Sequence, residues 1–482
     1  MDRSGEHYDV VVVGAGIAGL NALVAASDYV GRQGKVLVVD RRASPGGMWN
    51  DTYDYVRMHQ PHPFFTAGDV RWNQGHRREH LATKNEVLQH LRHCLDVVAC
   101  RTRLDTRWES EYVAHVERDG MVDVTVRATD GTTGSVTTKR LVKAFGYDVP
   151  TNPPLQVSSE RVRSVSPDEM DVRSGAIAQD SAPVWVVGGG KTGMDTALAL
   201  VTAQPGRDVR MLVGGGTAFI ARDTMFPTGR RRWLGGKRAI QYTSDFSLHF
   251  DGTNEGEVLD WFLANGGISP VDAPRDFAFG ILGRDEAAAL RAGVTEFVHD
   301  YFEDAADSET SIDLVLRSGA RRPLDEGTWL VNCTGYLSRK HTPYEPYCSP
   351  SGRVLTITDR SAVTHLTSFS GYYLTHLMMR DLLPLNELYE LDMVELREKA
   401  KQALGPAGFT LSMHNFGVFF DALPTKVFLT NQLNYDLWYP MPRTMAGAVR
   451  FMATRRRAVA RQRVALDALR ERGIRSGPLA QS

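Results

Sequence analysis

Two glycine-rich turns of the form Gly-x-Gly-x-x-Gly, Gly14 to Gly19 and Gly188 to Gly193, constrain this chain more than any other feature. Each lies between a short apolar run and a helix-forming run. Tyr8 to Val13 precedes the first and Leu20 to Val30 succeeds it; residues 184–187 precede the second, with a helix to about Ala203 beyond. A further strand comes next in both cases, Lys35 to Val39 and residues 208–213, so each stretch reads as a βαβ unit. In such a turn the first glycine permits the tight bend, the second lets a pyrophosphate approach the backbone, and the third lets helix and strand pack closely. The phosphates then meet a helix N-terminus, where free N–H groups and the helix dipole favour anions. Gly190-Lys191-Thr192 also looks like the end of an ATP-binding loop, but that loop requires glycine where this chain has Trp185. The dinucleotide reading meets its requirement at all three glycines.

The two units differ at the end of their second strands. Asp40 ends the second strand of the first unit, where a carboxylate accepts hydrogen bonds from ribose hydroxyls. The same offset from Gly188 reaches Gly214, with no acid nearby in sequence and with Arg207, Arg210 and Arg222 within reach. The expectation is therefore FAD on the first turn and NADPH on the second.

Composition narrows the rest. Lys and Arg total 56 against 57 Asp and Glu, so no whole-chain field favours nucleic acid. The N-terminal apolar run is too short for a signal peptide, and no stretch is long enough to span a bilayer. Cys94, Cys100, Cys333 and Cys348 fall at unrelated spacings, read as reduced, packed thiols of a cytoplasmic protein with no metal site.

Along the chain, Thr83-Lys84-Asn85-Glu86 has the form of a capping box opening a helix through about Val98. Residues 103–145 alternate as an antiparallel meander, and Pro150 to Pro154 reads as a domain crossing. The expected class is α/β, with two Rossmann-like dinucleotide-binding domains, the NADPH domain inserted in the FAD domain. Residues 1–150 form the first part of the FAD domain. Residues 151–330 form the NAD(P)H domain with an irregular insertion at 224–310, and 331–482 return to the FAD domain and add an arginine-rich helical tail.

Taken in order, these motifs resemble the class B flavoprotein monooxygenases: flavin-containing monooxygenases, N-hydroxylases and Baeyer–Villiger enzymes. The resemblance is carried by the first turn with Asp40, by Gly46-Gly47-Met48-Trp49, by Gly188 to Asp195, by Ala144-Phe145-Gly146 and by Asn332-Cys333-Thr334-Gly335-Tyr336. It implies a flavin C4a-(hydro)peroxide that transfers one atom of O₂ to a small-molecule substrate, leaning to an amine nitrogen. FAD contacts are expected at Gly14, Gly16, Ile17, Ala18, Gly19, Asp40 and Arg41, then at Gly47, Met48, Trp49, Met58 and Gln60. Ala144, Gly146, Thr334 and Gly335 complete them, while Gly188, Gly190, Lys191, Thr192, Gly193 and Arg222 are expected to hold NADPH. His59 takes the place of an active-site asparagine of that family and is the expected catalytic residue, with Gln60 beside it. Tyr372, Tyr373 and His376 are candidates for the substrate cavity or for packing.

The family's Phe-x-Gly-x-x-x-His fingerprint is absent, with Ser158, Glu160 and Ser164 at its three positions. Baeyer–Villiger chemistry is correspondingly disfavoured. An FAD oxidase or dehydrogenase with a vestigial NADPH fold stays open, as does a flavin-binding, redox-regulated interaction protein. A homo-oligomer is compatible with every reading.

Overall fold

The computed structural model describes residues 6–147, 149, 151–335 and 343–479, with only the backbone of Ala278. Pro150 of the expected domain crossing and Tyr336 of the late motif lie outside the described residues.

The first βαβ unit is β1 (His7–Val13), α1 (Ile17–Val30) and β2 (Lys35–Val39). Val10, Val11 and Val12 are fully buried, the mark of a parallel strand covered on both faces. α2 (Lys84–Arg101) starts at a complete capping box. The Thr83 N–H donates to the Glu86 carboxylate at 2.8 Å, and the Glu86 N–H donates back to the Thr83 hydroxyl at 3.4 Å. The helix leads into β3 (Arg103–Arg107), which pairs in parallel with β2.

The expected meander accounts for only part of residues 103–145. β4 (Ser110–Arg118), β5 (Met121–Ala128) and the first half of β6 (Thr133–Gly146) are antiparallel. The second half of β6 runs parallel between β1 and the strand Val354–Thr358, because there it is buried on both faces. Alternation alone does not separate the two situations.

The second sheet is wholly parallel. Its order is Glu296–Val298, β9 (Val209–Leu212), β8 (Val184–Val187), Trp329–Asn332 and β7 (Arg163–Val165). Val331 and Asn332 therefore still belong to this sheet, just past the expected boundary.

Residues 224–310, expected to be irregular, are largely regular. They include helices Ala239–His249, Glu255–Asn265 and Arg284–Gly293 and the strand Asp276–Leu282. The first two helices pack with Leu404–Ala422 and Met441–Glu471 around Phe246, Phe262, Phe277, Phe409 and Leu466. Each of these two is buried along one face, through Ala239, Tyr242, Thr243, Phe246 and Ser247 on the first and Val258 and Phe262 on the second. Polar Thr243 and Ser247 on the first face, and apolar Leu259 and Leu263 off the second, blur the stripe in the sequence. The arginine-rich tail is the outer helix of this lobe, running from Met441 to Glu471. Among the described residues no helix is long and apolar enough to cross a membrane.

A candidate dinucleotide cleft

Both glycine turns have the geometry their spacing predicts. Gly14 has φ +100° and Gly188 φ +131°, values a side chain rarely allows. A Cβ on Gly188 would meet the Cys333 carbonyl oxygen at 2.5 Å, and one on Gly14 would strike that of Ala144. Gly19 and Gly193 abut the carbonyl oxygens of Gly14 and Gly188, leaving no room for a methyl group. Gly190 is different: a Cβ there would face open space, the side from which a ligand approaches.

The helices after these turns, α1 and Lys191–Ala203, begin at Gly16 and Gly190 with no side-chain cap and no acidic residue in the first turn. Their positive ends are therefore left for another anion. Asp40 shapes the first turn from behind. Its Oδ2 accepts the Ala15 N–H at 2.6 Å and its Oδ1 the Arg42 N–H at 2.7 Å.

One cavity of about 670 Å³ is lined by both turns, through Gly16, Ile17 and Ala18 on one side and Gly188, Gly190, Lys191 and Thr192 on the other. Gly47, Met48, Trp49, Ala144, Gly146, Thr334, Gly335 and His59 complete the part of its wall foreseen from sequence. Gly14, Gly19, Gly193 and Asp40 stand behind that wall rather than on it. Arg41 is exposed beyond it, Met58 is buried in the core of the first domain, and Gln60 is half-buried off the wall. Arg222 is committed elsewhere: its guanidinium reaches both Glu286 carboxylate oxygens at 2.8 Å and the His59 carbonyl at 2.9 Å. Arg207 is tied to the carbonyls of Ile177 and Ala182, and Arg210 to Asp208, so neither faces the cleft. Tyr372, Tyr373 and His376 are buried in the core that carries α1, where Tyr29 reaches the His376 ring at 2.8 Å.

The segment after Trp49 crosses from one domain to the other. The Tyr53 hydroxyl donates to Asp195 at 3.2 Å, Tyr55 meets Thr196 at 2.8 Å, and Lys191 pairs with the same Asp195. Burial raises the Asp195 carboxyl above its ordinary range, with Lys191 opposing that rise. His59 lines the cavity, and its Nδ1 accepts the Ile281 N–H at 3.4 Å, which leaves the proton on Nε2. Burial, with the charges of Lys191 and Arg222 nearby, pushes this imidazole down to about 3. It is a neutral donor at ordinary pH.

Sequence reasoning missed several wall residues. Asp276 and Lys401 form an ion pair in the cavity wall; the Asp276 carboxylate stands beside Gly215, just past β9, where the ribose of a second dinucleotide would fall. Arg397 lines the same region. No local signal marks these residues, because Lys401 comes from a lobe far along the chain. Cys333 also lines the cavity, with its thiol pushed up to about 12 by burial and donating to Thr196 at 3.4 Å. All four cysteines are free.

Two Rossmann-type sheets, each offering a bare helix N-terminus to one shared cleft, define the two-dinucleotide-domain fold of flavin-dependent oxidoreductases. Residues 8–223 match the family described as pyridine nucleotide-disulphide oxidoreductase. An uncharacterised protein of Mycobacterium tuberculosis is 31% identical over 211 residues, and an equivalent protein of Mycobacterium bovis matches equally. That match covers 40% of this chain and 36% of theirs, little more than a third of those relatives' length. Among solved structures, the flavin-containing monooxygenase from Stenotrophomonas maltophilia is 15% identical with a TM-score of 0.47, covering 78% of this chain and 98% of that one. The closed form of cyclohexanone monooxygenase is 14% identical with a TM-score of 0.49, covering 93% and 98%.

Proposed function

We propose that this chain is an FAD- and NADPH-dependent monooxygenase acting on a small molecule, with an amine nitrogen the favoured atom. The observation that carries the reading is the single cleft into which both uncapped glycine turns open. The Gly14 turn, with Asp40 behind it and Gly47 against Gly16, suits the FAD pyrophosphate. The Gly188 turn, open at Gly190, suits the NADPH pyrophosphate.

When bound, NADPH would reduce FAD, and the reduced flavin would deliver one atom of O₂ to substrate and the other to water. The chain's own part is positioning and exclusion. Trp49 packs edge-on against Phe65 at 5.5 Å, and with Tyr53 and Tyr147 gives the middle of the cleft an aromatic wall that sheds water. His59, neutral and protonated at Nε2, offers a hydrogen bond without adding charge. The lean to nitrogen rests on the absent Phe-x-Gly-x-x-x-His fingerprint, which disfavours Baeyer–Villiger chemistry; the amine would react through the lone pair of its unprotonated form. At the ribose end Lys401 supplies a cation for a 2′-phosphate. Asp276, paired with it, puts there the carboxylate that the sequence offset from Gly188 lacked, a group that by itself suits a free ribose hydroxyl.

Mixing the flavin-loaded protein with NADPH under argon, then admitting O₂ with a panel of amines, tests the proposal. The visible flavin band is expected to bleach with NADPH and return with O₂, with one oxygenated product per NADPH. A flavin untouched by NADPH but bleached by amine alone would make the protein an oxidase and end this reading.

A further inference from the structure

The stretch between Phe65 and Thr83 has no helix or ladder to hold it, yet it carries two histidines that converge on one carboxylate. His76 Nε2 lies 3.1 Å from Glu86 Oε1, and His80 Nε2 lies 2.8 Å from Glu86 Oε2. The two imidazoles stack at 4.1 Å. All three side chains are about three-quarters buried, at 28%, 27% and 24% exposure. From these positions we propose that His76, His80 and Glu86 form a zinc site that staples this stretch to the N-terminus of α2.

The chemistry of the set fits. Two imidazoles and a carboxylate are ordinary zinc ligands, and bonds of about 2.0–2.2 Å in a tetrahedron place ligand atoms roughly 3.3 Å apart. The present separations reach that with small side-chain movements, leaving the fourth position for water. Glu86 is already oriented, as zinc carboxylates usually are, by the Thr83 N–H at 2.8 Å and hydroxyl at 3.0 Å. The staple also reaches the cleft. His62 donates its N–H to the His80 carbonyl at 3.1 Å, and His62 lies three residues from His59. The reading from cysteine spacing, which expected no metal, did not consider this His-x-x-x-His-x-x-x-x-x-Glu pattern because no regular element displays it.

The test uses the full chain with flavin bound, stripped by chelator and titrated calorimetrically with zinc chloride. One equivalent is expected to bind and raise the thermal midpoint. His76→Gln and His80→Gln are each expected to weaken binding at least about tenfold, the scale on which even outer-shell partners act. Glu86 is left intact, since its removal would also uncap α2. Wild-type protein that takes up no zinc leaves a plain hydrogen-bonded network and overturns the proposal, as does full binding by the double histidine variant. Should the variants fail to fold, X-ray absorption on the zinc-loaded wild type decides: two imidazoles with oxygen ligands support the site, and sulfur or a single imidazole refutes it.

Discussion

The Tyr53 hydroxyl spans the gap between the two halves of the cleft to reach Asp195 at 3.2 Å, the same carboxylate that Lys191 neutralises. This contact ties the segment after Trp49 to the helix Lys191–Ala203 that opens on the second glycine turn. A hydrogen bond to a charged acceptor is worth about 1.5–3 kcal/mol, and this long one belongs at the lower end. Tyr53→Phe should therefore lower stability by about 1.5 kcal/mol. It should slow anaerobic flavin reduction by NADPH while leaving the NADPH Kd nearly unchanged. Stopped-flow spectroscopy separates the two quantities, and a Kd effect equal to the rate effect would refute the positioning role.

The second glycine turn makes a contrast available within four residues. Gly193→Ala drives a methyl group into the Gly188 carbonyl, so the turn must shift, at about 1–3 kcal/mol of overpacking. Gly190→Ala meets nothing in the protein and changes only a helix cap, worth about 1 kcal/mol or less. Its methyl group instead occupies the approach of the pyrophosphate. Gly190→Ala should thus fold with its full flavin content yet bind NADPH at least tenfold more weakly, about 1.4 kcal/mol. Flavin content and an NADPH titration check both halves.

His59 gives a prediction in pH. Its imidazole is held down to about 3 in the folded protein, against about 6.5 for an unfolded chain. Between those values the unfolded state binds the extra proton, so stability rises with pH through this window. The contribution is complete above about 6.5 and fades as pH falls toward about 3. His59→Asn removes this proton linkage. The thermal midpoint of the variant should fall less steeply than that of wild type on going from neutral to acidic pH. Parallel curves would show that His59 is solvated and titrates normally.

Lys401 and Arg222 exchange the roles that sequence proximity suggests. Arg222 bridges Glu286 and the His59 carbonyl, so Arg222→Met should destabilise the protein and leave the preference for NADPH over NADH unchanged. Lys401 is exposed at the ribose end of the cleft, and Lys401→Met should raise the NADPH KM at least about tenfold, the scale of a lost charge-assisted bond, without raising that for NADH. Steady-state KM values for the two coenzymes decide. A selective loss in Arg222→Met would restore the simpler assignment.

These exchanges show where the sequence was legible. Gly19 and Gly193 could be read because their need is local: each packs against the carbonyl of its own turn's first glycine, five residues back, and Gly14 and Gly188 take the positive φ that the turn itself requires. The Thr83–Glu86 box was equally local. Asp276, Lys401 and Tyr53 acquire their meaning from neighbours more than a hundred residues distant, and no spacing rule reaches that far. Arg222 sat at a suitable distance from the second turn, but Glu286 and the His59 carbonyl claimed it first. The helices Ala239–His249 and Glu255–Asn265 were hidden for another reason: Thr243 and Ser247 put polar residues on the buried face of the first, and Leu259, Trp261 and Leu263 put apolar residues off that of the second.

That same core decides what the arginine-rich tail is for. An interaction element would tolerate removal, whereas a structural helix would not. Leu466 and Leu469 on Met441–Glu471 are fully buried with Phe246, Phe250 and Tyr242, and Gln462 reaches Ser247 at 2.9 Å from the same face. Truncating a buried leucine to alanine costs about 2–5 kcal/mol, through lost transfer energy and the cavity left behind. Either Leu466→Ala or Leu469→Ala should lower the denaturation midpoint by an amount of that order, and the pair together approaches the whole stability of an ordinary domain. Arg456→Gln and Arg457→Gln, on the exposed face, should leave the midpoint within about 0.5 kcal/mol of wild type. Urea unfolding of the four variants compares the two faces of one helix. If the leucine variants unfold like wild type while the arginine variants do not, the tail is held by its charge and the packing account of this lobe is wrong.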